Sequence, residues 1–408
     1  MASTSSVYVW VWLTGETEPV PAGRLRPVGD GLAFEYGRRY LERSNALALS
    51  PTLPLGTAVF GPTADLGMPG AVRDGAPDAW GRRVILNALT GARGSEADVT
   101  VLDEATYLLS SGSNRLGAID FQESSSDYVP RADTASLDEL NAAARTIDEG
   151  GILPEHLAAA LIDGTAMGGA RPKALIADQG DEYIAKFSTS ADVLPVVGAE
   201  AASLQLARLV GIRVPDSRVV SSLGRDVLLV KRFDRAGDAT RTMVVSALTL
   251  SGLGEMTSRY GSYLSLLASL REHGDDAGDE LFRRVALNIA ISNTDDHLRN
   301  HAAFWDGARL RLTPAYDLSP MNRTGETATQ ALPYGPDGER ASNLAELAQH
   351  SEQFGLSRKA GREIVLTMVD QVHAHWNEAA DAGRLTAAQR RLLWGRQILN
   401  PGALYGLD

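Results

Sequence analysis

The first apolar run, Val7-Tyr8-Val9-Trp10-Val11-Trp12-Leu13, is short and rich in β-branched and aromatic residues, which predicts a strand. A turn at Gly15-Glu16 and further short strands over 20–25 and 32–36 follow. The stretch 74–86 reads as a turn entering a helix, with Pro77 in the first helical turn and a cap just before it. Thr106 to Leu109 and then Leu116 to Phe121 predict a helix, a glycine-containing loop and a strand. This front region reads as a compact α/β unit, and the polar run Glu123 to Asp127 marks its boundary. Helical patterns follow over 137–147 and 154–162, then an alternating strand over 182–187 and a helix over 198–207. A buried strand begins at Asp226 and passes into the charged segment 231–235. From about residue 236 the pattern is mainly helical, apart from 304–317. Leu281, Phe282, Val285, Ile289 and Ala290 recur at helical spacing, and that helix is expected to stop at Ser292-Asn293. Later helical patterns cover 343–349, 357–372 and 386–399, with Ser357 and Thr386 as N-caps and Trp376 and Trp394 as core anchors.

Composition narrows the classes. A chain of 408 residues is long enough for two or three domains and a substantial core. Its formal net charge of −12 argues against free-standing nucleic-acid binding, which needs a basic face, but leaves room for a DNA-binding partner. With no cysteine, disulfides and thiolate metal sites are excluded. The first residues carry no basic side chain, and no apolar run is long enough to span a bilayer, so the expectation is a cytoplasmic protein.

Candidate chemistry gathers at 293–300, Asn-Thr-Asp-Asp-His-Leu-Arg-Asn, and at Tyr316-Asp317. Phosphoryl transfer needs a carboxylate near the attacking hydroxyl and oxygen ligands for Mg²⁺. Kinases place a catalytic Asp and a metal-binding Asn five positions apart, with a second metal-binding Asp further on. Asp295, Asn300 and Asp317 have that order and spacing, although the usual His-Arg-Asp and Asp-Phe-Gly words are absent. Taken alone, Asp-Asp or Asn in such a place is a solvated turn. Upstream, Gly168-Gly169-Ala170-Arg171-Pro172-Lys173 combines glycines that admit a phosphate with two cations, a pattern that ordinary hairpin turns share. Lys186 on its strand and Glu200 on the next helix match the lysine–glutamate pair of kinases; singly, each reads as a surface strand lysine and a helix N-terminal glutamate.

Together these words resemble the HipA family of serine/threonine kinases, the toxin halves of bacterial toxin–antitoxin pairs. The resemblance runs through most of the chain: Leu53-Pro54-Leu55, Pro77-Asp78-Ala79-Trp80-Gly81-Arg82, the glycine stretch, Ala185-Lys186-Phe187, Val230-Lys231-Arg232-Phe233-Asp234-Arg235, Thr294 to Asn300 and Tyr316-Asp317. It implies an α+β, two-lobed, protein-kinase-like fold. An N-terminal subdomain would cover 1–125, a small lobe with the glycine loop 126–235, and a helical large lobe 236–408. ATP and Mg²⁺ would be the cofactors. By the same resemblance Asp295 is the catalytic base, Asn300 and Asp317 hold the metal, and Lys186 neutralises the triphosphate. Gly168, Gly169, Ala170 and Arg171 would cover the phosphates, while Lys231 and Phe233 line the adenine site with His297 and Tyr316 beside them.

The implied partners are a small helix-turn-helix antitoxin, DNA only through that antitoxin, and a Ser or Thr of a protein target, in the best-known cases glutamyl-tRNA synthetase. One departure stands out. Where the family carries an autophosphorylated serine, this chain has Ala166, which breaks the expected self-inactivation switch, and the adjacent Thr165, one position out of register, is the candidate substitute hydroxyl. Two other readings remain at this point: a corepressor subunit acting with the antitoxin on operator DNA, and a small-molecule phosphotransferase.

Overall fold

The computed structural model describes residues 6–93, 97–131, 135–164 and 171–407. Its front unit is a five-stranded antiparallel sheet in the order Val59–Phe60, Gly31–Tyr36, Pro19–Val28, Val7–Trp12, Ile119–Gln122. The aromatic opening strand pairs on both sides, and all of it except Tyr8 is buried, which is why it reads as an unbroken apolar run.

The helix from this unit begins two residues later than expected. It spans Ala79–Thr90 and is capped by Asp78, whose carboxylate accepts from the backbone N–H groups of Trp80 at 3.1 Å and Gly81 at 3.2 Å. Pro77 lies before the cap, where a side chain that accepts hydrogen bonds is not needed. Trp80 and Val84 on this helix join a core cluster with helices Leu137–Asp148 and Glu155–Asp163 and with a second sheet. Ser136 forms a capping box with Glu139 at the start of the first of those helices.

The second sheet is four-stranded and antiparallel, in the order Lys173–Asp178, Asp181–Lys186, Arg225–Lys231, Ser217–Ser222. Helix Val196–Leu209 lies behind it and packs against the long helix Arg358–Ala382 of the large lobe. The large lobe adds helices Tyr263–Glu272, Gly278–Ala290, Leu344–Gln349 and Ala387–Leu393, and a three-stranded sheet of Val244–Ser246, Ala302–Trp305 and Leu310–Leu312. Ser357 and Thr386 cap their helices as expected. The first runs past Val372 to Ala382, whereas the second stops at Leu393, ahead of Gly395 in the left-handed region at φ 72°. Trp376 is buried, and the half-buried Trp394 packs its ring 5.8 Å away. Among the described residues no helix is long and apolar enough to cross a membrane.

Candidate active site

Helix Gly278–Ala290 is buried along most of its length and delivers the chain into the candidate catalytic loop. The turn out of the helix is sharp: Ser292 has φ 53°, and the Asn293 N–H returns to the Asn288 carbonyl at 2.8 Å. Two adjacent carboxylates then part company. Asp295 is exposed, whereas Asp296 is 1% exposed. The Asp296 Oδ2 accepts from Asn288 Nδ2 at 2.7 Å, from the Tyr263 hydroxyl, and pairs with His301 Nε2 at 2.9 Å. So the inner aspartate anchors the loop and the outer one faces solvent. Asn300 closes a short turn, with its N–H on the His297 carbonyl at 2.8 Å and its Nδ2 on the Asp295 carbonyl at 3.4 Å.

Lys186 ends its strand directly opposite Lys173 in the antiparallel register. Two ammonium groups side by side are unfavourable unless carboxylates separate them. Lys173 has Asp78 at 3.5 Å, and Lys186 has Glu200 Oε1 at 2.5 Å and Asp317 Oδ1 at 2.8 Å. The lysine–glutamate pair expected from the sequence therefore forms. Burial works against the charge on Lys186, but Asp317 and Glu200 outweigh it and its pKa rises. Asp317 is held below the usual carboxylate range by Lys186. Glu200, more deeply buried, is pushed up by desolvation.

Asp317 follows the hairpin of Ala302–Trp305 and Leu310–Leu312 and sits in the left-handed region at φ 59°. Its carbonyl accepts from Asn293 Nδ2 at 3.4 Å, which ties it to the catalytic loop. Tyr316 turns its hydroxyl to the Arg299 carbonyl at 2.8 Å, and its ring stands 5.8 Å from Phe233. Phe233 also meets Phe304 at 5.7 Å, so the three rings form one wall. His297 is half-buried beside the loop, and its Nδ1 is buried with no hydrogen-bond partner among the described residues. Lys231 is engaged by Asp181 at 2.7 Å, and Arg171 by Asp192 at 2.7 Å. Thr165, Gly168, Gly169 and Ala170 lie outside the described residues.

The structure thus brings together Lys186, Glu200 and Asp317, joins Asn300 to the Asp295 backbone, and places Phe233 against Tyr316. Sequence reasoning passed over Asp296, Asn288, Asn293 and Tyr263. Asn288 is fully buried and so needs partners, but its helix also carries Asp279, Glu280, Arg283 and Arg284, and nothing in the sequence sets it apart from them. It also passed over the clamp on the connecting segment. Arg232 and Arg235 both bond Asp234, at 2.8 and 2.9 Å, and both donate to the Arg115 carbonyl from the front unit.

Among the described residues no group of three or more His, Cys, Asp or Glu side chains forms a ready metal cage. The donor set nevertheless suits Mg²⁺, which keeps several waters and takes one or two protein oxygens with substrate phosphates. The Asp317 side chain is 43% exposed, and the buried Asn300 directs its Nδ2 to the loop, leaving Oδ1 outside that bond.

A small sheet with a lysine–glutamate pair, a helical large lobe and an acidic loop between them define a two-lobed, kinase-like protein. A family model described as HipA-like C-terminal domain matches residues 165–376, half of the chain, and the chain belongs to that family. The chain is similar to the solved HipA of the toxin–antitoxin system of Shewanella oneidensis MR-1, determined with HipB and operator DNA. That match has a TM-score of 0.66 and 19% identity, over 95% of this chain and 96% of that one. A second solved structure, the proinflammatory kinase CtkA of Helicobacter pylori, gives a TM-score of 0.43 and 12% identity over 58% of this chain and 91% of that one. No curated protein matches the sequence.

Proposed function

We propose that the protein is an ATP- and Mg²⁺-dependent serine/threonine protein kinase of toxin type. The observation that carries this reading is Lys186 bridging Glu200 and Asp317 across the two lobes. A cation so placed serves the triphosphate, and the exposed Asp295 serves the acceptor. Bound magnesium nucleotide supplies the transferable γ-phosphoryl and shields the charge of its oxygens. Asn300 and Asp317 would hold the metal, and Lys186, paired with Glu200, would neutralise the triphosphate. Phe233 and Tyr316 wall the adenine side. Asp295 would orient the Ser or Thr hydroxyl and take its proton as the hydroxyl oxygen bonds to the γ-phosphorus and the bond from that phosphorus to the bridging oxygen breaks, ADP being the leaving group.

For partners, the solved Shewanella HipA was determined with HipB and operator DNA, which supports a HipB-like helix-turn-helix antitoxin here. With a net charge of −12, DNA contact falls to that partner. Glutamyl-tRNA synthetase is the first target to try.

The test is labelled ATP with cell extract, comparing wild type, Asp295→Ala and Asp317→Ala. Wild type labels protein, and loss of the base lowers the rate about 10²- to 10⁴-fold. Labelled metabolite without labelled protein would make the enzyme a small-molecule phosphotransferase. No transfer at all, with Asp295→Ala still repressing alongside the antitoxin, would make it a regulatory subunit.

A further inference from the structure

We propose that Asn293 and Asp296 are positioning residues that set Asp317 from the core of the large lobe through a one-way relay of side-chain hydrogen bonds. The proposal rests on the kinase reading above, in which Asp317 holds the metal.

Asp317 needs holding. Its φ of 59° is a left-handed conformation that non-glycine residues adopt uncommonly, aspartate more readily than most, so contacts that favour it count. The bond from Asn293 Nδ2 to the Asp317 carbonyl, at 3.4 Å, acts on that residue. The same Nδ2 donates to Asn288 Oδ1 at 3.0 Å, and Asn288 Nδ2 donates to Asp296 Oδ2 at 2.7 Å.

The order of these bonds has a direction. An ionised carboxylate only accepts, so Asp296 forces the nitrogen of the Asn288 amide toward itself and the oxygen toward Asn293. That oxygen in turn selects the nitrogen of Asn293, which is then the end presented to Asp317. Asp296 is itself fixed from two further elements, by the Tyr263 hydroxyl and by His301 Nε2 at 2.9 Å. Asp296, Asn288, Asn293, Tyr263 and His301 are all at most 3% exposed. In that dry setting, side-chain hydrogen bonds are strong and tolerate no alternative pattern.

The geometry links two functions. Asp296 is the neighbour of Asp295, so one end of the relay lies on the loop bearing the candidate base. The other end is the backbone of the candidate metal ligand. The separation of base and metal ligand is therefore set by three hydrogen bonds, two of them buried and the last, to the Asp317 carbonyl, part-buried.

The experiment uses the full-length chain, with ATP alone and ATP with Mn²⁺ as probes, and protein phosphorylation as a second readout. Asn293→Ala is expected to leave affinity for metal-free ATP unchanged. It should weaken the gain in affinity that Mn²⁺ confers by about tenfold or more, and slow phosphoryl transfer by up to ~10²-fold, the scale of a 1 Å misplacement. Asn288→Asp sets two carboxylates together and should do the same. The exchange of Asn288→Asp with Asp296→Asn restores a donor facing an acceptor with the polarity reversed, and should recover most of both losses, a coupling that single variants cannot show.

Unaltered Mn²⁺-linked affinity in Asn293→Ala, or an exchange variant that folds and recovers nothing, would overturn the relay. If wild type binds ATP with Mn²⁺ but transfers no phosphate, the kinase reading falls, and a weakened Mn²⁺ response in Asn293→Ala still upholds the relay. If wild type shows no Mn²⁺-linked ATP binding, both fall.

Discussion

At Lys186 one ammonium serves two carboxylates in different surroundings. The Glu200 side chain is 5% exposed and Asp317 43%. Desolvation raises the Glu200 pKa, while Lys186 depresses that of Asp317, so acid reaches Glu200 first. The sign of the Asp317 contribution follows. Its pKa is lower in the folded than in the unfolded chain. Its share of stability is thus in place above the unfolded value of about 3.9 and is lost as pH falls through the lower folded value. Asp317→Asn should therefore melt below wild type at pH 7, with the gap closing between about pH 5 and pH 2. Paired thermal melts across that range check it; a gap that persists undiminished at the acid end would show that Lys186 does not hold the carboxylate.

Among elements, helix Val196–Leu209 decides whether Glu200 reaches Lys186, and its seat on the large lobe is a contact between two glycines. A Cβ at Gly198 would lie 2.6 Å from the Gly383 carbonyl oxygen, and one at Gly383 would lie 2.2 Å from that of Gly198. Backbone blocks both positions, and at Gly198 the Leu385 side chain is also 2.7 Å away. Gly383→Ala should push the helix off its seat, costing about 1–3 kcal/mol as overpacking does. It should also cut phosphoryl transfer, because Glu200 moves with the helix. Denaturant titration and the labelled-ATP assay read the two effects. This contact also marks where sequence reading stops. Helices were legible where apolar spacing and a capping side chain agree, as at Ser357 and Thr386. The Lys186–Glu200 pair was legible because a strand and a helix close in sequence have few ways to pack. Gly198 against Gly383, or Arg115 against Gly75, joins segments far apart in the chain, and no local periodicity records such a meeting. The buried role of Asp296 was hidden for a simpler reason: adjacent aspartates look alike until burial separates them.

For the whole molecule, the question is whether the front unit can be removed. The main core cluster runs from Val7 in the first strand to Leu407 near the end, through the large-lobe helices. The second cluster sets Trp80 and Val84 of the front helix, 1% and 0% exposed, against the small-lobe sheet. A buried ionic cluster adds to this. Arg115 pairs with Asp120 at 2.8 Å with both side chains fully buried, and the Gly117 N–H donates to Asp234 at 2.7 Å. Burial opposes the charge on Asp234, but Arg232 and Arg235 outweigh it and hold its pKa far down. Cutting at residue 126 would strip the sheet of its cover at about 1.5–3 kcal/mol for each large side chain uncovered. It would also leave Arg232 and Arg235 without the Arg115 carbonyl. Against a net stability of about 5–15 kcal/mol, several such losses exceed what the remainder holds. A fragment of residues 126–408 should therefore show no cooperative melt by circular dichroism and little amide protection, while the full chain shows both. A fragment that melts cooperatively with native helix content would mean that the lobes fold alone and that the front unit is an attachment. The buried connections argue for the opposite: the front unit shares its core with the helices and sheets that follow it.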